Sequence, residues 1–273
     1  MNQRWNPEGT ARGRVVLLHG IMSTAATWWR VGPALASRGW VVDALDLPGH
    51  GHWPRTARPL GMDALVDGIA GRLGSPVDVL VGHSLGGAVA VALAGRHPRA
   101  ARALVLEDPP TRSREDHAAT LAAGIEADAR LVRRDRRRVV RREREANPAW
   151  AEEDVEHSVD GIAAADTAAL AAGLRGDLAW DLPAMVAAVR VPLLVLAARA
   201  GAGLGEAGGS ALQGPGREAV RAQLPPDRFV VLDGGHCLHR DLPARWLEVV
   251  GGFADTVLGT GAGPAGQPGP SSG

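Results

Sequence analysis

Two short segments carry side chains of complementary chemistry. Ser84 lies within Gly82-His83-Ser84-Leu85-Gly86, and His236 closes Asp233-Gly234-Gly235-His236. A serine hydroxyl is a poor nucleophile while it keeps its proton. It attacks a carbonyl carbon only with a base in reach, an acid that orients the base, and N–H donors for the developing oxyanion. Imidazole suits the base because it exchanges protons near neutral pH. The glycines flanking Ser84 permit a tight strand-to-helix turn, which lifts the hydroxyl above a sheet and points the next helix N-terminus toward it. His19-Gly20-Ile21-Met22 offers the donors: the Ile21 amide paired with that of Leu85, with Met22 as the alternative to Ile21. His239 is assigned a structural or substrate-facing role.

Composition narrows the chemistry further. The 273 residues contain 30 basic side chains, all Arg, balanced by 30 acidic ones, with an estimated pI of 7.2. A neutral chain gives no bulk attraction to nucleic acid or anionic membrane. Without Lys, Schiff-base and Ser-Lys mechanisms are excluded. The single Cys237 excludes an intrachain disulfide and a clustered-Cys metal site. Residues 1–14 are polar, and no stretch is long and apolar enough for a signal peptide or a membrane span. The expectation is a soluble, cytoplasmic protein.

The elements that must position these side chains are legible as apolar runs. Val15-Val16-Leu17-Leu18, residues 40–45, residues 77–81, Ala103-Leu104-Val105-Leu106, residues 191–196 and Phe229-Val230-Val231-Leu232 read as buried strands. Helical spacing over 28–38, 62–73 and 88–95 falls between them, and a last helix runs from about 242 to 257. Strand, loop and helix in repeated order predict an α/β fold: a mostly parallel central sheet flanked by helices, its functional loops along one edge. The core comprises 15–110 and 190–258. Residues 111–189 are rich in Arg, Ala and Glu and predict a helical cap insertion. Its Arg-rich run over 133–142 is interspersed with acid and reads as a solvated helix face. Gly, Pro, Ala and Ser dominate 259–273, which predicts a disordered tail.

His19-Gly20, Asp46-Leu47-Pro48-Gly49-His50-Gly51, Gly82-His83-Ser84-Leu85-Gly86-Gly87 and Gly235-His236 occur in that order. In this the chain resembles the α/β-hydrolase superfamily, especially its compact, cap-bearing esterase and C-C hydrolase branches, over about 15–257. The resemblance implies that Ser84 attacks an acyl carbon, His236 transfers protons, and Ile21 with Leu85 holds the oxyanion. Relatives that hydrolyse haloalkanes and many that open epoxides use an Asp nucleophile, so Ser84 speaks against both reactions. The 46–51 segment either shapes the approach to the site or is a structural Pro-Gly turn.

The same resemblance exposes a gap. Relatives commonly carry the acid in the loop after the strand matching 193–196, where this chain has Gly201 at the expected position. Asp108 lies after the strand ending at Leu106, where some superfamily members supply the acid instead. Glu107 and Glu206 are the alternatives, and an incomplete triad is the remaining one.

The expected activity is hydrolysis of a carboxylic ester or lactone through an acyl-enzyme, which needs no metal or redox cofactor. The expected partner is a small apolar or amphipathic ester-like substrate, with no nucleic acid. Two other functions stay open: C-C bond hydrolysis of a ketone-bearing substrate enclosed by the cap, and a noncatalytic ligand-binding protein of the same fold. Trp150 and Trp180 could line a cap-covered pocket, or serve as core contacts.

Overall fold

The apolar runs become strands because each must bury both faces. A computed structural model describes residues 2–111, 115–176, 178–199, 209–257 and 259. Gly201, Glu206 and all of the 259–273 tail except Gly259 lie outside the described residues. Seven strands form one sheet in the order β1-β3-β2-β4-β5-β6-β7. They are β1 (Gln3–Trp5), β2 (Gly13–Leu18), β3 (Trp40–Leu45), β4 (Val77–His83), β5 (Ala101–Glu107), β6 (Leu193–Ala198) and β7 (Phe229–Leu232). All neighbours pair in parallel except β1, which is antiparallel to β3. β1 was not expected, since a three-residue strand with one apolar side chain shows no periodicity. Its edge position is secured by Arg4, whose guanidinium bonds both oxygens of Asp43 at 2.6 and 2.8 Å.

Successive residues of a strand face opposite sides. Val16, Leu18, Leu80, Leu104 and Leu106 enter one core cluster, and Val15, Leu17, Val79, Val81 and Val105 enter the other. That is why the strands read as unbroken apolar runs rather than alternating ones. The first cluster is covered by α2 (Met62–Leu73) and α3 (Leu85–Arg96), the second by α1 (Val31–Ala36) and by α11 (Pro243–Val257), the long helix that ends the described chain. The helix expected over 28–38 is shorter than its periodicity suggested: a 3-10 turn over Ala25–Trp28 precedes α1, whose Pro33 stands in its first turn, where its missing N–H takes no helical bond.

Among the described residues, between β5 and β6 run five helices: α4 (Glu115–Arg134), α5 (Arg136–Ala146), α6 (Glu152–Ala164), α7 (Thr167–Arg175) and α8 (Leu182–Ala188). After β6 come α9 (Gly214–Arg221), a 3-10 turn at Pro226–Arg228, and, between β7 and α11, the short α10 (Leu238–Asp241). Helices α4 to α7 pack on one another as a cap-like insertion, whereas α8 packs on α3 and α9. The insertion holds a small cluster of Val132, Val139, Val159 and Ile162, against which Met22 of the core packs. Its seat includes two backbone bonds to loops near the C-terminal sheet edge, Asp166 N–H to Gly49 O at 2.7 Å and Leu60 N–H to Ala169 O at 3.1 Å. On its outer face Arg136 pairs with Glu156 and Asp160, and Arg142 with Asp128. Among the described residues no helix is long and apolar enough to cross a membrane.

Candidate active site

Ser84 occupies the junction between β4 and α3 with φ 52° and ψ −120°. Such a left-handed φ is costly for a residue with a side chain. It is imposed by the tight reversal: Ser84 N–H donates to Glu107 O at 2.9 Å, and Ser84 O accepts from the Gly87 and Ala88 amides. The reversal also explains the glycines. A Cβ at Gly82 would collide with the Gly86 carbonyl and stand 2.6 Å from Gly87 N; one at Gly86 would stand 2.5 Å from Leu18 O and 2.6 Å from His19 O. Among the described residues, three non-glycine residues have positive φ: Met22, Ser84 and Asp108. All three stand where the candidate site is built.

Asp108 follows β5 and its side chain is fully buried. Its Oδ2 accepts His236 Nδ1–H at 2.6 Å and the Ala211 amide at 2.7 Å, while Oδ1 accepts Ser210 Oγ–H at 2.6 Å and the Ala198 amide at 3.0 Å. Burial pushes the carboxyl up. The bond and charge of His236, with the Ser210 and Ala211 donors, outweigh it and hold Asp108 below the ordinary carboxylate range. Because a carboxylate can only accept, His236 carries a proton on Nδ1, and in the neutral ring the lone pair then lies on Nε2. His236 is partly exposed. Among the described residues the Ser84 hydroxyl has no hydrogen-bond partner, so the link from Ser84 Oγ to His236 is open in this conformation.

Glu107 turns the other way. It continues the face of Ala103 and Val105, and its carboxylate accepts His239 N–H at 3.1 Å, His239 Nδ1–H at 2.7 Å and Trp246 Nε1–H at 2.8 Å. Burial raises its pKa, against those donors. His239 Nε2 accepts from Thr27 Oγ1 at 2.7 Å, and Thr27 Oγ1 accepts from Arg240 Nε at 2.8 Å. Glu107, considered above as an alternative acid, thus makes its bonds to α10 and α11 and none to His236. The buried His239 ring lies tilted against Trp28 with centroids 4.2 Å apart and meets His83 edge-on at 5.1 Å.

The loop after β2 is braced by two buried imidazoles. Leu47 N–H donates to His19 Nε2 at 3.0 Å, and Met22 N–H to His50 Nε2 at 3.1 Å. Each ring therefore protonates on Nδ1, which donates to Gly20 O in one case and Pro48 O in the other. Burial lowers the pKa of His19 to about 4 and that of His50 to about 3. The Met22 amide is thus occupied, which disfavours it as the first donor. Among the described residues neither the Ile21 nor the Leu85 amide has an acceptor. The 46–51 turn braces the loop that carries Ile21, through the Leu47 amide and the His50 ring.

Sequence reasoning missed His83, whose Nε2–H donates to the carbonyl of His236 at 3.1 Å with the two rings 4.6 Å apart. Its place inside the quoted Ser84 motif was the available signal. It also missed Ser210, which has no local signature. Trp180 donates to Pro110 O and packs on the core; Trp150 donates to Asp241. Among the described residues no three His, Cys, Asp or Glu side chains are grouped so as to hold a metal ion.

Known proteins share this architecture. The chain is 42% identical over 112 residues to a pimeloyl-[acyl-carrier protein] methyl ester esterase of Neisseria meningitidis, covering 40% of this chain and 42% of that protein. It is 37% identical over 160 residues to lipase LipV of Mycobacterium tuberculosis, covering 56% of each. The chain thus spans about two fifths to just over half the length of these relatives. Among solved structures, the enol-lactonase of Burkholderia xenovorans superposes with a TM-score of 0.70 at 22% identity, over 93% of this chain and 95% of that one. A thermophilic esterase of Thermogutta terrifontis superposes with a TM-score of 0.71 at 24% identity, over 94% and 93%. These two likenesses speak to the fold. The model of the α/β hydrolase family matches residues 15–249, from within β2 to within α11, and the chain belongs to that family.

Proposed function

We propose that the protein is a serine hydrolase of small carboxylic esters or lactones, with Ser84 as nucleophile, His236 as general base and Asp108 as orienting acid. The observation that carries this reading is the 2.6 Å bond between His236 Nδ1 and an Asp108 carboxylate held in its ionised form. That bond leaves His236 Nε2 free to take the Ser84 proton as Oγ attacks the acyl carbon. The negative charge then forming on the carbonyl oxygen meets the Ile21 and Leu85 amides, at the start of α3. Collapse of the tetrahedral intermediate expels the alcohol, which takes the proton from His236. Water attacks the acyl-enzyme by the same route in reverse, and the acid departs. The open Ser84 link fits a site that tightens when substrate binds.

A fluorophosphonate probe tests the assignment. Labelling should map to Ser84, disappear in Ser84→Ala, and accompany turnover of p-nitrophenyl esters or lactones. A folded wild-type protein that neither labels nor turns over any of these substrates refutes the reading.

A second reading concerns what carries the ester. The Neisseria relative is named for a protein-bound ester, and residues 130–142 of this chain hold eight Arg against one Asp, with Arg136 and Arg142 paired to acids and Arg138 and Arg141 lying between them. Such a corner would attract an anionic carrier. If so, turnover of a carrier-linked ester should fall with added salt and in Arg138→Glu/Arg141→Glu, while turnover of a free ester is unchanged. Equal salt response of both substrates refutes it.

A further inference from the structure

Asp108 holds the ring of His236, but the backbone around His236 is also held. His83 donates to the His236 carbonyl, and the amide of the preceding residue, Gly235, donates to Asp241 Oδ2 at 2.7 Å. The other oxygen of Asp241 accepts Trp150 Nε1–H, also at 2.7 Å. Trp150 lies in the α5–α6 connection of the cap-like insertion, so one carboxylate joins that insertion to the His236 loop. Arg240 completes the joint. Its guanidinium carbon lies 4.4 Å from the Trp150 ring centre, and its Nε donates to Thr27 Oγ1. Burial pushes the Asp241 carboxyl up, and the Trp150 and Gly235 donors pull it back. Removing either donor leaves a half-buried carboxylate less compensated.

We propose that Trp150 is a positioning residue carried by the cap-like insertion: its indole N–H, through Asp241, fixes the Gly235–His236 backbone, so His236 is in place only when the insertion is seated. This rests on His236 being the base. A matched bond elsewhere separates positioning from simple seating of the insertion. Trp29 Nε1–H donates to Asp154 Oδ1 at 2.8 Å. It also ties core to insertion; among the described residues it makes no bond of its own to residues 235–241, and its acceptor Asp154 is hydrogen-bonded toward that loop only through the Ala151 amide beside Trp150.

The test compares the full chain carrying Trp150→Phe, Asp241→Asn, both together, or Trp29→Phe, using p-nitrophenyl acetate. Trp150→Phe keeps a ring beside Arg240 and removes only the donor. It should lower kcat about tenfold, because misplaced catalytic groups react slowly, while KM stays within about twofold. Trp29→Phe should leave kcat within about twofold of wild type, and the double variant should be no worse than Asp241→Asn alone, as expected for two residues acting through one contact. The proposal is overturned if Trp150→Phe matches wild type, if the two Trp variants lose kcat equally, or if the losses multiply in the double variant. Should Trp150→Phe not fold, Asp241→Asn decides: kcat at the wild-type level overturns the proposal. The proton on His236 Nδ1, bonded to Asp108, gives a downfield NMR resonance that reads the same positioning without turnover. It should move or broaden in Trp150→Phe and stay in place in Trp29→Phe. An inactive, unlabelled wild type would then sink the ester reading alone, and an unmoved resonance would sink the role of Trp150.

Discussion

Asp108 Oδ2 meets His236 Nδ1 at 2.6 Å across 128 positions of sequence. The two residues leave the C-terminal ends of β5 and β7, parallel strands separated only by β6, so the sheet delivers both to one edge. The proposed acid, Asp108, stands after β5; Gly201 and Glu206, in the loop after β6, lie outside the described residues. Both ends of that connection contribute, since the Ala198 amide at the end of β6 and Ser210 and Ala211 shortly before α9 donate to Asp108.

Asp108 and Glu107 are adjacent buried carboxylates with opposite expected effects. Asp108→Asn should lower kcat by about four powers of ten, because the amide favours the wrong tautomer of His236. Glu107→Gln should keep kcat within about tenfold and instead cost about 1–3 kcal/mol of stability, by leaving buried donors imperfectly matched. Ester turnover and urea denaturation of both variants measure this. If Asp108→Asn retains wild-type turnover, Asp108 is not the acid.

The buried imidazoles predict an acid-side loss of stability. An unfolded His titrates near pH 6.5, whereas His19 and His50 titrate at about 4 and about 3 in the fold, and His83 and His239 lie well below their ordinary value. As pH falls below 6.5 the unfolded chain takes up protons that the native state refuses. Stability is therefore complete above 6.5 and declines toward the native values, by about 1.4 kcal/mol per pH unit for each group. Glu107 and Asp241, whose pKa values are raised, pull the other way. The urea midpoint should fall between pH 7 and 4.5, and fall less in His50→Gln, which keeps an acceptor for Met22 N–H. A flat midpoint across that range contradicts the expectation.

Cys237 adjoins His236, but burial pushes its thiol up to about 12. The thiolate is the reactive form. At pH 8.5 iodoacetamide should therefore alkylate native protein on the order of a thousandfold more slowly than protein unfolded in guanidinium. Mass spectrometry of timed samples reads the ratio; comparable rates would show that the thiol is not so held.

The sequence by itself determined six of the seven strands described in the sheet, all but β1, and the turn at Ser84. Strands buried on both faces need unbroken apolar runs, and the close approach of Gly82 to Gly86 leaves room for no side chain, so both are written in local residue types. It also placed His236 at the end of β7 and favoured Asp108 as the acid, with Glu107 and Glu206 as alternatives. The direction each of Glu107 and Asp108 takes belonged to tertiary structure. Strand alternation sends Glu107 toward Trp246, while Asp108, just past the strand end and at φ 44°, turns its carboxylate to His236. The occupation of the Met22 amide by His50 and the joining of Trp150 to the His236 loop through Asp241 were likewise invisible locally. Each is a contact between segments far apart in sequence, and a hydrogen bond depends on direction and distance that only the assembled sheet and insertion supply.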